Sequence, residues 1–176
     1  MVTDESSIED ILAQMSAEMG PDCILGRELS RQRRAFVRVA RDCLLRVASR
    51  LHEAGFTHLS TITGQELDGE VELIYHLINA GTHVGLRVRL PLDSLSVPTM
   101  TALIPGAVLY EREVHEMLGV NFEGHPDLSR LILPEEWDLN TPPLRKQTPS
   151  VTGHVDVTPR KRSTSAQSRR RKPADK

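Results

Sequence analysis

The sequence predicts an α+β domain, in which a mixed sheet of about four strands carries helices on one face and an irregular proline-rich C-terminal extension follows. Three segments between residues 57 and 90 have the β-branched or alternating composition of strands. Apolar residues at helical spacing flank them at 7–19 and 107–118. Five prolines then interrupt residues 121–150, which excludes regular structure from much of that stretch.

The first predicted helix runs from Ser7 to Met19, where apolar residues recur every three or four positions. Ser6, followed three residues later by Glu9, is typical of a capping box at the start of a helix. A Gly-Pro pair directly after Met19 ends it. We assign residues 1–22 to this N-terminal helix.

The stretch from Arg27 to Gly55 fits two patterns. One long helix would place apolar residues from Phe36 to Leu51 on a single face, and periodicity alone slightly favours it. In the alternative, residues 35–39 form a short strand and Cys43–Glu53 form a helix. Both interpretations stay open on these residues alone.

Three strands are predicted next, at Thr57–Thr63, Val71–Ile78 and Val84–Leu90. Asp68-Gly69 is a strong signal for a hairpin turn between the first two. Residues 79–82, Asn-Ala-Gly-Thr, predict a turn between the last two. The third strand alternates apolar residues with glycine and arginine, which predicts one buried face and one arginine-bearing outer face.

A proline-containing connector spans residues 91–105, and Ala107–Leu118 is predicted to be a helix that ends at Gly119. We therefore assign residues 23–120 to the α+β domain. Residues 121–150 are predicted to be an extended partner-binding segment, because their apolar groups need a surface on which to lie.

The last residues differ from the rest in charge. From Pro159 to the end there are eight Lys or Arg and one acid, whereas residues 1–158 carry a net charge of −9. Residues 151–176 are predicted to be a disordered basic tail. Such a tail could become ordered on a partner subunit, or it could bind nucleic acid or an anionic surface through its positive charge. It lacks aromatic residues for base stacking, which argues against recognition of a nucleic-acid sequence.

The two cysteines, Cys23 and Cys43, are too few for an iron–sulfur cluster, which normally takes four. A structural disulfide is not expected either, because cysteines are few and Met1–Asp10 lacks the basic start of a secretory leader. No apolar run approaches the roughly 20 residues that cross a bilayer. We therefore expect a soluble chain that reaches a membrane only through a partner.

Residues 109–146 carry the most informative pattern. It contains E-R-E, two residues and a further acid, then G-H-P-D-L, L-P-E-E-W and P-L-R-K, in that order. This resembles the 30 kDa subunit family of NADH-quinone oxidoreductase (complex I), also called its C subunit, which includes related subunits of membrane-bound hydrogenases. Such proteins run strand, helix, then three strands, which favours the strand at 35–39. Gln147 departs from the acid usual after P-L-R-K.

The resemblance implies a scaffold subunit of the peripheral arm, on the cytoplasmic face of the cell membrane, that binds no cofactor. Its expected partners are a large, D-like catalytic subunit and cluster-bearing B-like and I-like subunits, which hold the iron–sulfur clusters and pass electrons from NADH or another reduced carrier to quinone. The residues expected at the partner interface are Glu111, Arg112, Glu113, Glu116, Phe122, His125, Pro126, Asp127, Leu128, Pro134, Trp137, Pro143, Leu144, Arg145 and Lys146.

The charged residues of this pattern also have simpler interpretations. Arg112 and Glu116 are spaced to pair on a solvated helix surface, a contact worth a few tenths of a kcal/mol. In an interface, desolvated charges would instead set the register. Glu111 and His115 have no third or fourth ligand at suitable spacing, which argues against a metal site.

His125-Pro126-Asp127 has the composition of a turn, because Pro126 restricts the residue before it and Asp127 can bind a backbone amide. No nucleophile or substrate pocket accompanies it, so a catalytic pair is not predicted. Trp137, set among prolines, fits either a plug in a small satellite core or an anchor at an interface.

Overall fold

The computed structural model describes residues 8–31 and 33–146. Its elements are, in chain order, α1 (Ile8–Met19), β1 (Ile24–Arg31), β2 (Arg34–Val39), a 3₁₀ turn (Arg41–Cys43), α2 (Leu44–Glu53), β3 (His58–Leu67), β4 (Glu70–Asn79), β5 (Thr82–Pro91), β6 (Ser96–Pro98), α3 (Ala107–Leu118) and β7 (Asn121–Glu123). The predicted α+β class is confirmed. Within the described ranges, no helix has the length and apolar character needed to cross a membrane.

Five strands form the main sheet, in the order β1-β2-β5-β4-β3. β2 lies parallel to β5, and every other pair in this sheet is antiparallel. The prediction of a mixed sheet is therefore confirmed, and so is the choice of strand then helix for residues 35–53. β6 and β7 form a separate parallel pair of three residues each.

The two predicted hairpin turns are both present. Asp68 and Gly69 join β3 to β4 with φ of 53° and 78°. Ala80 and Gly81 join β4 to β5 with φ of 44° and 80°. Two successive residues of positive φ make the turn whose twist matches the flanking strands, and glycine tolerates the second position at no steric cost.

Alternation along the strands sets the two faces of the sheet. On β4 the side chains of Val71, Leu73, Tyr75 and Leu77 are completely buried. They belong to one core that also includes the apolar faces of all three helices. At Gly64 on β3 an added Cβ would lie 2.4 Å from Leu118 of α3, so the missing side chain lets the helix approach the sheet closely.

The opposite face of the sheet is polar. Arg87 lies 4.4 Å from the centre of the Phe36 ring, and Arg89 contacts Glu70 and Glu72 at 3.3 Å. These residues occupy alternate positions on adjacent strands, as the predicted arginine-bearing face of the third strand requires.

β1 was not predicted, and the sheet therefore has five strands where about four were expected. It is the edge strand, so a single neighbour pairs with it, and a register shift lies between Ile24 and Gly26. Its Leu25 and Leu29 are 57% and 49% exposed. Such a strand shows no clear alternation of buried and exposed residues, which is the pattern that reveals strands in a sequence.

The expectation against a disulfide is wrong, because Cys23 and Cys43 are bonded to each other with their Cα atoms 5.4 Å apart. Cys23 directly precedes β1 and Cys43 follows β2, and these strands are antiparallel. The ladder therefore brings the two cysteines to the same end, where the Ala40 amide donates to the Cys23 carbonyl at 3.0 Å. Without β1 in the prediction, this proximity was not visible.

Candidate docking site

The site is built on α3 and on the segment that follows it. We call residues 124–146 the C-terminal ribbon; among them the structure contains turns and bends but neither helix nor strand. Gly119, directly after α3, has the left-handed φ of 73° that closes a helix. The His115 ring nitrogen Nδ1 donates to the Val120 carbonyl at 2.8 Å, close to this end. The chain then turns back, and the ribbon runs along α3.

Glu111 lies in the core beneath the ribbon, with no exposed surface. Its carboxylate accepts hydrogen bonds from the Thr99 hydroxyl at 2.5 Å and from the Met100 amide at 2.7 Å. Burial raises the pKa of Glu111 to about 7, although the bonds from Thr99 and Met100 act in the opposite direction. Glu111 is thus a buried structural acid.

The Tyr75 hydroxyl lies on the sheet side of this buried cluster. It is buried and has no hydrogen-bond partner among the described residues. Burial raises the pKa of Tyr75 well above its usual value, and the nearby charge of Glu111 adds to the effect. Both groups are therefore held in an environment that disfavours negative charge.

His125 joins the start of the ribbon to this cluster. Its side chain is fully enclosed, with Nε2 at 3.9 Å from a Glu111 carboxylate oxygen. Nε2 donates to the Val108 carbonyl at 3.1 Å, and Nδ1 accepts from the Asp127 amide at 3.0 Å. The partners assign the neutral tautomer with hydrogen on Nε2. The turn predicted at His125-Pro126-Asp127 is observed as a bend at Pro126, directly after a turn at Gly124, and Asp127 accepts from the Ser129 amide at 2.8 Å.

Arg112 holds the next part of the ribbon. Its guanidinium donates to the Ser129 carbonyl at 3.0 Å, to the Ser129 hydroxyl at 3.0 Å and to the Arg130 carbonyl at 2.8 Å. Asp127 lies at 4.0 Å from the same group. A planar guanidinium with several donors is well suited to satisfying backbone carbonyls that no strand partner satisfies.

Glu116 binds the backbone one turn further on. Its carboxylate accepts from the amides of Leu131 at 2.6 Å, Ile132 at 2.8 Å and Leu133 at 3.4 Å. Burial would raise its pKa, but the three amides and the nearby Arg130 outweigh burial and lower the pKa of Glu116. The spacing of Arg112 and Glu116 suggested that they pair with each other, but in the structure they do not. Each binds a different part of the ribbon.

The end of the ribbon is fixed at β3. Arg145 donates to the Glu66 carboxylate at 2.7 Å and to the Leu118 carbonyl at 3.3 Å. The Lys146 amide also donates to Glu66, at 3.1 Å, and the Leu144 amide donates to the Met117 carbonyl at 3.0 Å. Glu66 is 8% exposed and was missed in the sequence, because the pairing spans 79 residues.

The ribbon presents apolar side chains to the outside while its polar contacts point inward. Leu131, Ile132, Leu139 and Leu144 are 39%, 56%, 42% and 58% exposed, and Leu109 of α3 is 57% exposed. These five are most of the large exposed apolar residues in the described part of the chain. Large apolar residues exposed on one segment in this way suit a surface that another protein covers.

The residues expected at a partner interface fall into three groups. Glu111, Glu116 and Phe122 are buried in the chain itself, and the contacts described above are internal. Taken as whole residues, Arg112, His125, Leu128, Trp137, Pro143 and Arg145 are half-buried, and Trp137 donates its indole N–H to the Thr141 carbonyl at 3.0 Å. Glu113, Pro126, Asp127, Pro134, Leu144 and Lys146 are exposed. The partner role of the set stays a prediction.

Comparison with known proteins gives a family. A family model described as the respiratory-chain NADH dehydrogenase 30 kDa subunit matches residues 37–153. The chain belongs to this family. Membership makes it a subunit of a complex I-type respiratory assembly.

Relatives of the 30 kDa subunit family differ in length. The C subunit of NADH-quinone oxidoreductase from a Roseiflexus species is 36% identical over 157 residues, covering 84% of this chain and 87% of that protein. The C/D subunit of Aeromonas hydrophila is 39% identical over 91 residues, which are 51% of this chain and only 15% of that protein. The chain therefore spans most of the first relative but a small part of the second.

Two solved structures share the fold of this 30 kDa family member. A chain of the membrane-bound sulfane sulfur reductase, an archaeal respiratory membrane complex, has a TM-score of 0.71 at 32% identity, over 81% of this chain and 86% of that one. A trypsin-resistant fragment of Nqo5 has a TM-score of 0.59 at 25% identity, over 69% and 98%.

Proposed function

We propose that the chain is a non-catalytic scaffold subunit in the peripheral arm of a complex I-type, ion-translocating oxidoreductase. It docks on a large, D-like catalytic subunit, beside cluster-bearing B-like and I-like subunits. Those partners carry the iron–sulfur clusters and pass electrons from NADH or another reduced carrier to quinone. This chain binds no cofactor of its own, and it meets the cytoplasmic face of the membrane only through the complex.

One observation carries the proposal, namely the two-sided character of the ribbon. Its backbone is satisfied by Arg112, Glu116 and Glu66, which fix its course on the domain. The apolar side chains of Ile132 and Leu144 are thereby left facing outward. A surface fixed before binding loses little conformational entropy when a partner covers it, so apolar contacts there contribute efficiently to affinity.

A relative supports the choice of partner. The Aeromonas protein is named as a combined C/D subunit, and the stretch similar to this chain is a small part of it. In that protein the C-like part is covalently joined to the remainder, so the two occur in a fixed ratio and at high effective concentration. A D-like subunit is therefore the partner that we propose for this chain.

Substitutions on the ribbon test the proposal in a co-purification with the partner subunits. Ile132→Asp and Leu144→Asp each put a charge in the centre of the expected interface, and we expect each to weaken association at least about tenfold. Leu25→Asp is the matched control, because Leu25 is 57% exposed and lies on β1, at the opposite edge of the sheet from β3. Full recovery of the complex with both ribbon variants would falsify the proposal.

A second candidate is the equivalent subunit of another respiratory membrane complex, such as a membrane-bound nickel-iron hydrogenase. The favouring observation is the extensive match to a chain of the archaeal sulfane sulfur reductase complex. The same fold thus occurs in a complex whose name states a different chemistry. Identification of the co-purified large subunit, and of whether it keeps nickel-binding cysteines, separates the two candidates.

A further inference from the structure

The bridge between Cys23 and Cys43 joins two parts of the chain that otherwise meet through strand pairing, packing and an ion pair. α1 and β1, which we call the N-terminal unit, precede the stretch that matches the family model, whereas Cys43 lies within it. The apolar face of α1 closes one side of the core with Ile8, Leu12 and Met15. The bridge is thus a covalent tie between the N-terminal unit and the part of the domain that follows it, which we call the shared domain because the family model matches most of it.

The two bridged cysteine residues are unequally exposed. Cys23 is buried, with 3% of its surface exposed, whereas Cys43 is half-buried at the surface in the 3₁₀ turn before α2. Thiol–disulfide exchange requires a thiolate to reach one sulfur in line with the bond, so access decides which sulfur is attacked. Cys43 is the sulfur that an outside thiol can reach.

A cation stands beside the bond. Arg46, an exposed residue on the first turn of α2, directs Nη2 at the Cys23 sulfur and lies 3.4 Å from the Cys43 sulfur with the same atom. A neutral disulfide gains little from a guanidinium, but a thiolate gains much, because the cation stabilises its negative charge. The arrangement therefore favours the species that forms when the bond is broken.

We propose that Cys23, Cys43 and Arg46 form a thiol–disulfide exchange site that takes a dithiol reductant and controls how firmly the N-terminal unit is held. A thiolate of the reductant attacks the Cys43 sulfur, forms a new S–S bond there and expels Cys23 as a thiolate beside Arg46. The second thiol of the reductant then attacks the mixed disulfide and releases Cys43. The reductant loses two electrons and two protons and becomes a disulfide, and the two cysteines become thiols.

Loss of the bridge leaves the N-terminal unit held by weaker ties. These are the β1–β2 ladder, the packing of α1 on the core and the ion pair of Glu18 on α1 with Arg50 on α2, at 3.0 Å. An exposed ion pair of this kind contributes little. Reduction therefore loosens the N-terminal unit before it affects the central strands.

The rate of reduction tests the role of Arg46. The full oxidised chain is treated with dithiothreitol without denaturant, and free thiols are alkylated and counted by mass. We expect Arg46→Gln to slow reduction about tenfold, because the departing thiolate loses its cation. Arg41→Gln is the control, since Arg41 lies in the same region but bonds to Asp42 and Ser94. Equal rates for Arg46→Gln and the parent chain would overturn the proposal.

Two further readouts do not depend on that variant. With glutathione as a monothiol, peptide mapping should find the mixed disulfide at Cys43; its presence at Cys23 would contradict the assigned direction of attack. Hydrogen exchange should rise in residues 8–31 on reduction and stay unchanged in β4 and β5. Unchanged exchange in residues 8–31 would show that the bridge does not control the N-terminal unit.

Discussion

At the scale of single residues, the signature acids of α3 have opposite electrostatic roles. Glu111 is buried with two hydrogen bonds, and its pKa is raised to about 7. Glu116 accepts three backbone amides, and its pKa is lowered. The same signature pattern thus contains Glu111, whose environment disfavours the charged form, and Glu116, whose environment stabilises it.

Glu111 makes the free energy of unfolding depend on pH. Its folded pKa lies above the unfolded value, so the folded state binds more protons between about pH 4.5 and pH 7, and stability falls as pH rises through this window. We expect the free energy of unfolding of the parent to fall by at most about 3 kcal/mol between pH 5 and pH 8 because of Glu111. In Glu111→Gln this decrease should be absent. Urea unfolding of both proteins at the two pH values measures it. Parallel pH profiles for parent and variant would rule out the raised pKa.

At the scale of elements, α3 acts as a support that fixes the ribbon through side chains rather than through a ladder of strands. Glu116 contributes most directly, because its single carboxylate satisfies the backbone of three successive residues. A carboxylate that accepts several amide bonds makes charge-assisted contacts, each stronger than a neutral hydrogen bond.

Removal of that carboxylate should release the middle of the ribbon. We expect Glu116→Ala to raise the rate of proteolytic cleavage between residues 128 and 140 about tenfold, since three backbone amides of the ribbon lose their acceptor. Glu113→Ala is the matched control, because Glu113 lies on the same helix but is exposed. Limited proteolysis with mass analysis gives both rates. Equal cleavage of the two variants would show that Glu116 does not fix the ribbon.

The elements that could be predicted from sequence are those with a local signal. The hairpins at Asp68-Gly69 and Ala80-Gly81 follow from turn chemistry, and α3 follows from its spacing and the closing Gly119. β1 could not be predicted, because an edge strand with exposed leucines lacks alternation. β6 and β7 have three residues each, too few for any periodicity.

The sequence predicted which segment forms the candidate site but not which of its side chains contact one another. The signature residues were found, and their sequence suggested charges facing a partner. The direction of Glu111 and Glu116 into the chain depends on where the ribbon turns back, which no local pattern encodes. The contact of Arg145 with Glu66 joins positions 79 residues apart, and the local sequence around either residue gives no indication of the other.

At the scale of the whole molecule, one core is assembled from separate parts of the chain. The shared domain supplies α2, α3 and four strands of the sheet, and the N-terminal unit adds α1 and the edge strand β1. The ribbon lies over α3. The bridge joins Cys23 and Cys43 at a sequence separation of 20, and for a loop of this size chain entropy predicts a stabilisation of about 3 kcal/mol. The outward apolar surface then lies on a body that is already fixed.

Photo-crosslinking in the assembled complex tests most directly whether the ribbon is the docking surface. A photoreactive amino acid is placed singly at position 132, 144 or 25, and the crosslinked partner is identified by mass spectrometry. We predict crosslinks to the large subunit from positions 132 and 144 and none to that subunit from position 25. Assembly of the complex with no crosslink from position 132 or 144, or with a large-subunit crosslink from position 25 alone, would contradict the account.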